Sequence, residues 1–81
     1  MKKKQEIFSK VQFILMDKTG LDETYMNRDA ELYDDLGLDS LDNIEVIMEV
    51  EKEFNISVAD NDVEKIKTVG DIVDLLVILE V

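Results

Sequence analysis

Residues 36–50 read LGLDSLDNIEVIMEV: a glycine, then a serine set between two aspartates, then apolar residues returning every three or four positions. The spacing predicts a helix from about Ser40 to Phe54 with two separate apolar faces. With Leu41 at zero on the helical wheel, Val46, Ile47, Val50 and Phe54 fall between roughly 140° and 240° and form a core stripe. Leu41, Ile44 and Met48 make a second patch at i, i+3 and i+7. Asp42, Glu45, Glu49 and Glu53 lie between the stripes, and carboxylates resist unpaired burial. Part of this helix therefore faces water. An exposed apolar patch rimmed by charge marks a partner surface, and an adaptable methionine at its centre suits several partners.

Ser40 has two readings. Asp39 can cap the helix, with Asp42 in the first turn where the dipole favours an anion, and an isolated Asp-Ser-x-Asp needs no more than that. A helix N-terminus also stabilises a phosphate attached or bound near it, so an exposed hydroxyl there is a good anchoring point for a phosphoryl group. Gly37 would keep the approach open and the chain supple.

The rest of the chain predicts an all-α domain. Its 81 residues suffice for one small core, so residues 1–81 are expected to form a single domain. Hydrophobic residues make up 46% and charged residues 36%, which favours a folded chain, while the absence of proline and the three glycines argue against a turn-rich sheet. Ile7, Phe8, Val11, Ile14 and Leu15 share one stripe of a first helix from roughly Lys4 to Lys18, ended by Gly20. Phe13 and Met16 lie off that stripe and are expected to pack against a loop crossing the helix. Residues 20–39 show no period, and a loop of that length needs internal packing, which Leu21, Tyr25, Met26, Leu32, Tyr33 and Leu36 can supply. A short helix around Asp60 to Lys65 places Val63 and Ile66 inward, with Asp60 as its cap. The last helix starts at Thr68, where Thr-Val-Gly-Asp is a capping-box variant, and runs through Leu79. The expected architecture is a small bundle of three main helices and a short one, with a long loop between the first two.

Charge and composition narrow the function. Twenty acids against nine bases give a net charge of −11, which repels nucleic acid and anionic membranes and favours basic protein surfaces. From Asp29 to Phe54 there are ten acids and a single base, Lys52. Cysteine and histidine are absent, which excludes a disulfide framework, the usual zinc sites and Ser-His or Cys-His nucleophiles. The run Lys2, Lys3, Lys4 lacks the apolar segment and cleavage site of a secretory signal, no segment is apolar enough to span a bilayer, and the cytoplasm is the expected compartment. Self-repulsion should lower stability at low ionic strength, so added salt or magnesium is expected to raise the melting temperature in scanning calorimetry. A flat response between low and moderate salt would contradict that.

The sequence strongly resembles the acyl carrier protein family of phosphopantetheine-dependent carriers. Asp35, Leu36, Gly37, Leu38, Asp39, Ser40, Leu41 and Asp42 match the family's signature, followed by a helix reading Glu45, Val46, Ile47, Met48 and Glu49 and on to Glu53 and Phe54. Gly20-Leu21, Ala30 with Leu32, Glu64-Lys65-Ile66 and Thr68-Val69 extend the resemblance over nearly the whole chain.

The resemblance implies that Ser40, flanked by Asp39 and Leu41, receives 4′-phosphopantetheine from coenzyme A through a phosphodiester. The arm's thiol carries an acyl group as a thioester, so no cysteine is needed. A separate phosphopantetheinyl transferase adds the arm; the chain itself is expected to be a monomeric shuttle and not an enzyme. Leu41, Ile44 and Met48 would then dock acyl-processing enzymes, whose basic surfaces meet Asp39, Asp42, Glu45, Glu49 and Glu51. The core stripe would border the space for an acyl chain. Leu38 stands where fatty-acid carriers most often have alanine, Asn43 where a small or hydroxylated residue is common, and the proline before the short helix is missing. These departures leave open a housekeeping carrier of fatty-acid synthesis or a dedicated polyketide, aminoacyl or modified-lipid carrier. From a different class, the chain reads as an acidic helical adaptor without an arm. Calcium binding around Asp60 to Asp62 fails the EF-hand pattern, because Lys65 replaces the turn glycine and Asp71 the bidentate glutamate. No bound metal is expected beyond weak, nonspecific cations, and no cleft or second catalytic group suggests an enzyme.

Overall fold

The computed structural model describes residues 4–79. Lys2 and Lys3 of the basic run, and the last two residues of the chain, lie outside the described residues. Among the described residues four helices follow in order, α1 (Lys4–Thr19), α2 (Ser40–Phe54), α3 (Asp60–Lys65) and α4 (Val69–Ile78), with a 3-10 turn at Glu23–Tyr25. This is the expected all-α arrangement, and the bounds of α2 coincide with those read from periodicity.

Helix α1 buries Ile7, Val11 and Leu15 and lies antiparallel to α2, since Lys10 midway along it pairs with Glu53 near the end of α2 at 3.0 Å and Lys18 at its end pairs with Glu45 nearer the start of α2. It ends where Gly20 adopts a φ of +76° and donates its N–H to the Met16 carbonyl at 2.8 Å, the left-handed stop that glycine tolerates best. Met16 packs partly buried against the core, as expected, but Phe13 does not: it is 72% exposed. The long loop crosses α1 at Gln12, whose side-chain amide donates to the Met26 carbonyl at 3.0 Å, and leaves Phe13 open.

Residues 20–39 are ordered by the start of α4. Glu31 and Thr68 form an isolated antiparallel bridge, with Leu32 N–H donating to the Lys67 carbonyl at 2.9 Å and Val69 N–H to the Ala30 carbonyl at 3.0 Å. This docking buries Met26, Leu32 and Leu36, whereas Tyr25 and Tyr33, also expected inside, remain exposed. Their side chains alternate outward from the buried ones and keep their hydroxyls in water.

Helix α4 begins with the capping box of Thr68 and Asp71 and buries Val69, Ile72, Val73 and Leu76. Helix α3 carries Val63 partly buried, followed by buried Ile66, but Asp60 is not its cap. Ala59 holds that place without a side-chain bond, because its carbonyl already accepts the N–H groups of Asp62 and Val63. Asp60 is the first residue inside the helix, where its charge favours the dipole.

One exposed pair ties the loop to α4. The Arg28 guanidinium donates to Asp74 at 2.8 Å and, with Lys4 nearby at 3.5 Å, holds the Asp74 carboxyl below its ordinary range. Because the folded value is the lower one, the pair's contribution is present above the unfolded carboxylate pKa and is lost as pH falls through the folded one. Arg28→Ala is expected to return Asp74 toward its ordinary value in a carboxyl NMR titration. An unchanged midpoint would remove Arg28 as the cause.

Candidate functional site

The approach to Ser40 is held by backbone hydrogen bonds. Asp35 Oδ2 accepts the Glu31 N–H at 2.8 Å, the Glu31 carbonyl accepts the N–H groups of Asp35 and Leu36, and Leu38 N–H donates to the Leu32 carbonyl at 2.9 Å. Leu36 and Leu38 are buried, with Gly37 exposed between them. Gly37 has a φ of +71°, and a Cβ there would meet nothing within 4 Å. The space around it is open, as expected, but the chain is not supple: a left-handed backbone requires the glycine.

Asp39 is the cap. Its Oδ1 accepts the Asp42 N–H at 2.8 Å and the Asp42 carboxylate accepts the Asp39 N–H at 3.2 Å, a reciprocal capping box. Ser40 is therefore the first helical residue, exposed, and its hydroxyl is spared the capping role. The first bond within the helix runs from Asn43 N–H to the Asp39 carbonyl at 2.9 Å. This leaves the amides of Ser40 and Leu41 at the helix start for water or an anion. A phosphate ester on Ser40 fits this setting, with a free hydroxyl, open space toward Gly37 and the positive end of a helix beneath it.

The apolar patch beside Ser40 faces solvent, with Leu41 65%, Ile44 50% and Met48 60% exposed. The opposite stripe of Val46, Ile47, Val50 and Phe54 is buried. The two predicted faces are thus real and separate. The carboxylates differ more than the sequence suggested. Glu49 is exposed and without an ion pair among the described residues, whereas Asp42 and Glu45 share Lys18 of α1, and Asp42 and Asp39 also serve the cap. Glu45 is the main cause that holds the Lys18 ammonium above its ordinary pKa. Glu51 accepts the Val58 N–H at 2.7 Å and so secures the connection that leaves α2. Of the acids expected to meet partners, Glu45 and Glu49 are the best presented.

Asn43 was missed as a buried residue. It is 5% exposed, and its Oδ1 has no hydrogen-bond partner. The signal was available, because three positions before Val46 it falls on the core side of the wheel at roughly 200°. Among the described residues, no group of three or more acids converges as metal ligands, and no helix is long and apolar enough to cross a membrane.

A family model described as a phosphopantetheine attachment site matches residues 9–76. An acyl carrier protein of Thermotoga maritima is 50% identical over 76 residues, covering 94% of each chain. The solved structure of a Mycobacterium tuberculosis chain assigned as an acyl carrier protein superposes with a TM-score of 0.85 at 30% identity, covering 90% of this chain and 97% of that one. With its serine at the capped start of α2, its helical architecture and these relatives, the chain belongs to the acyl carrier protein family, whose prosthetic group is phosphopantetheine.

Proposed function

We propose that Ser40 is the attachment residue and that the chain shuttles acyl intermediates between enzymes of fatty-acid or related biosynthesis. The observation that carries this reading is the exposed Ser40 hydroxyl at the N-terminus of α2, released from capping by Asp39 and bordered by an exposed apolar patch. In the loading step a base of the transferase takes the proton of Ser40 Oγ, and that oxygen bonds to the phosphorus of coenzyme A's pantetheine phosphate. The bond from that phosphorus to the adenosine bisphosphate breaks, and the latter leaves. Once attached, the arm supplies a thiol that holds the acyl group as a thioester. The amides of Ser40 and Leu41 would help hold the charge of a phosphodiester on Ser40, and the Asp39–Asp42 box fixes the helix that would present it.

Leu41, Ile44 and Met48 supply the apolar contact for the transferase and acyl-processing enzymes, while Glu45 and Glu49 steer their basic surfaces. Charge then speeds and orients encounter, and the patch sets the lifetime of the complex. Residues 1–81 act as one domain in this account, a carrier and not a catalyst, working as a monomer in the cytoplasm. The test is to incubate the purified protein with coenzyme A and a broad-specificity phosphopantetheinyl transferase and to record the intact mass. A gain of one phosphopantetheine is expected. No gain on a folded, unmodified chain would replace the carrier with the acidic adaptor.

Leu38 and Asn43 favour a second reading of the cargo. Both departures from the common fatty-acid carrier are buried close to the anchor, and Asn43 places an unpaired acceptor on the core face of α2. A dedicated polyketide, aminoacyl or modified-lipid carrier fits that polarity. The mass of the acyl load on protein isolated from its own cell decides between them, and a plain saturated chain would remove the dedicated reading.

A further inference from the structure

Phe13 is the most exposed aromatic ring among the described residues, and its position is not isolated. It lines a groove between α1 and α2, and Met48 lines the same groove from α2. Met48 also belongs to the patch of Leu41 and Ile44, so the apolar surface continues from one helix to the other. Single exposed hydrophobics are ordinary on a protein surface, whereas a contiguous strip across two elements is a mark of association.

The charge around the groove identifies the class of occupant. Asp17 of α1 and Glu45, Glu49 and Glu53 of α2 line it, with Lys18 the one cation. Lys18 already pairs with Glu45, and Lys10 with Glu53, while Asp17 and Glu49 have no ion pair among the described residues. Two open carboxylates on facing helices, with an apolar strip between them, complement cationic side chains flanking an apolar one. A second copy of this chain, also at −11, would be repelled.

We propose that the docking surface spans two helices, with Phe13 and Met48 gripping an apolar side chain of a lysine- or arginine-rich segment of a partner protein. The assignment of that partner as an acyl-processing enzyme rests on the carrier reading above; the surface itself does not. Asp17 and Glu49 receive the flanking cations.

A short amphipathic helical peptide of lysine and leucine, with one tryptophan on its apolar face, is the probe. The protein has no tryptophan, so the emission reports the peptide alone. Phe13→Ala is expected to weaken binding about tenfold, Phe13→Leu to retain most of it, and Tyr25→Ala, outside the groove, to change it by less than about twofold. Amide shifts should appear in residues 10–17 as well as 44–49. Thermal unfolding of Phe13→Ala confirms that the fold is intact, as the ring's exposure requires. Equal affinity of Phe13→Ala and parent, or shifts confined to α2, would overturn the two-helix surface. So would movement of the Phe13 signals only when an acyl chain is attached to the arm, since that assigns the groove to cargo. Loading at Ser40 is scored separately: a chain that loads but shows no Phe13 effect loses only this proposal, and one that shows the Phe13 effect without loading loses only the carrier reading.

Discussion

Ser40→Ala is expected to abolish the mass gain completely while leaving the fold in place. Only the hydroxyl oxygen is removed, the atom proposed to form the new bond to phosphorus. The helix start does not depend on it, because the reciprocal bonds between Asp39 and Asp42 cap α2 and the Leu38 N–H is held by the Leu32 carbonyl. Alanine is also a better helix former than serine, by a few tenths of a kcal/mol, roughly. The variant should therefore melt within about 3 °C of the parent, so loss of loading cannot be assigned to unfolding. The other serines offer no substitute: Ser9 lies within α1 and Ser57 follows the end of α2. Intact mass before and after incubation gives the answer, and a loaded alanine variant would remove Ser40 as the anchor.

Gly70→Ala is expected to produce the largest loss of stability. Gly70 is buried in the first turn of α4 and donates its N–H to the Arg28 carbonyl at 2.9 Å. A Cβ at that position would sit 2.9 Å from the same carbonyl oxygen and 3.2 Å from the Arg28 guanidinium. The guanidinium can swing away, but the oxygen belongs to backbone that is hydrogen-bonded to α4. Relieving the clash means moving the stitched segment that buries Met26, Ala30 and Leu32. Such overpacking costs about 3 kcal/mol, and alanine's helix preference returns about 1 kcal/mol. The net is a loss of about 2 kcal/mol, or a melting temperature lower by roughly 10 °C. An unchanged or higher melting temperature would show that the segment moves freely.

The sequence was most informative where one helix decides its own pattern. The limits of α2, its two faces, its Asp39 cap and the capping box of Thr68 and Asp71 follow from local spacing, because these residues bond within a few positions of themselves, while the return bond from Asp39 N–H to the Asp42 carboxylate emerged only in the structure. What it hid depends on a remote segment. Phe13 reads as a packed residue until the path of the long loop is known, and nothing in the sequence singles out Gly70 until Arg28 is placed against it. Tyr25 and Tyr33 carry enough apolar surface to be read as core, yet the bridge between Glu31 and Thr68 fixes which side chains of the loop turn inward. At the candidate site, residue types identified the acids but not their duties. Asp42 and Glu51 are already engaged in holding backbone, which no charge count reveals.

Lys18 has a further consequence for how partners leave. It already stands beside Asp42 at 3.6 Å and is bonded to Glu45, so these carboxylates are not empty seats. An incoming lysine or arginine that takes either of them exchanges one cation for another. The electrostatic gain on binding is then the difference between two ion pairs and not the whole of one, and when the visitor withdraws its replacement is waiting on the neighbouring helix. A surface arranged as an exchange reaction can greet cations quickly without holding them for long.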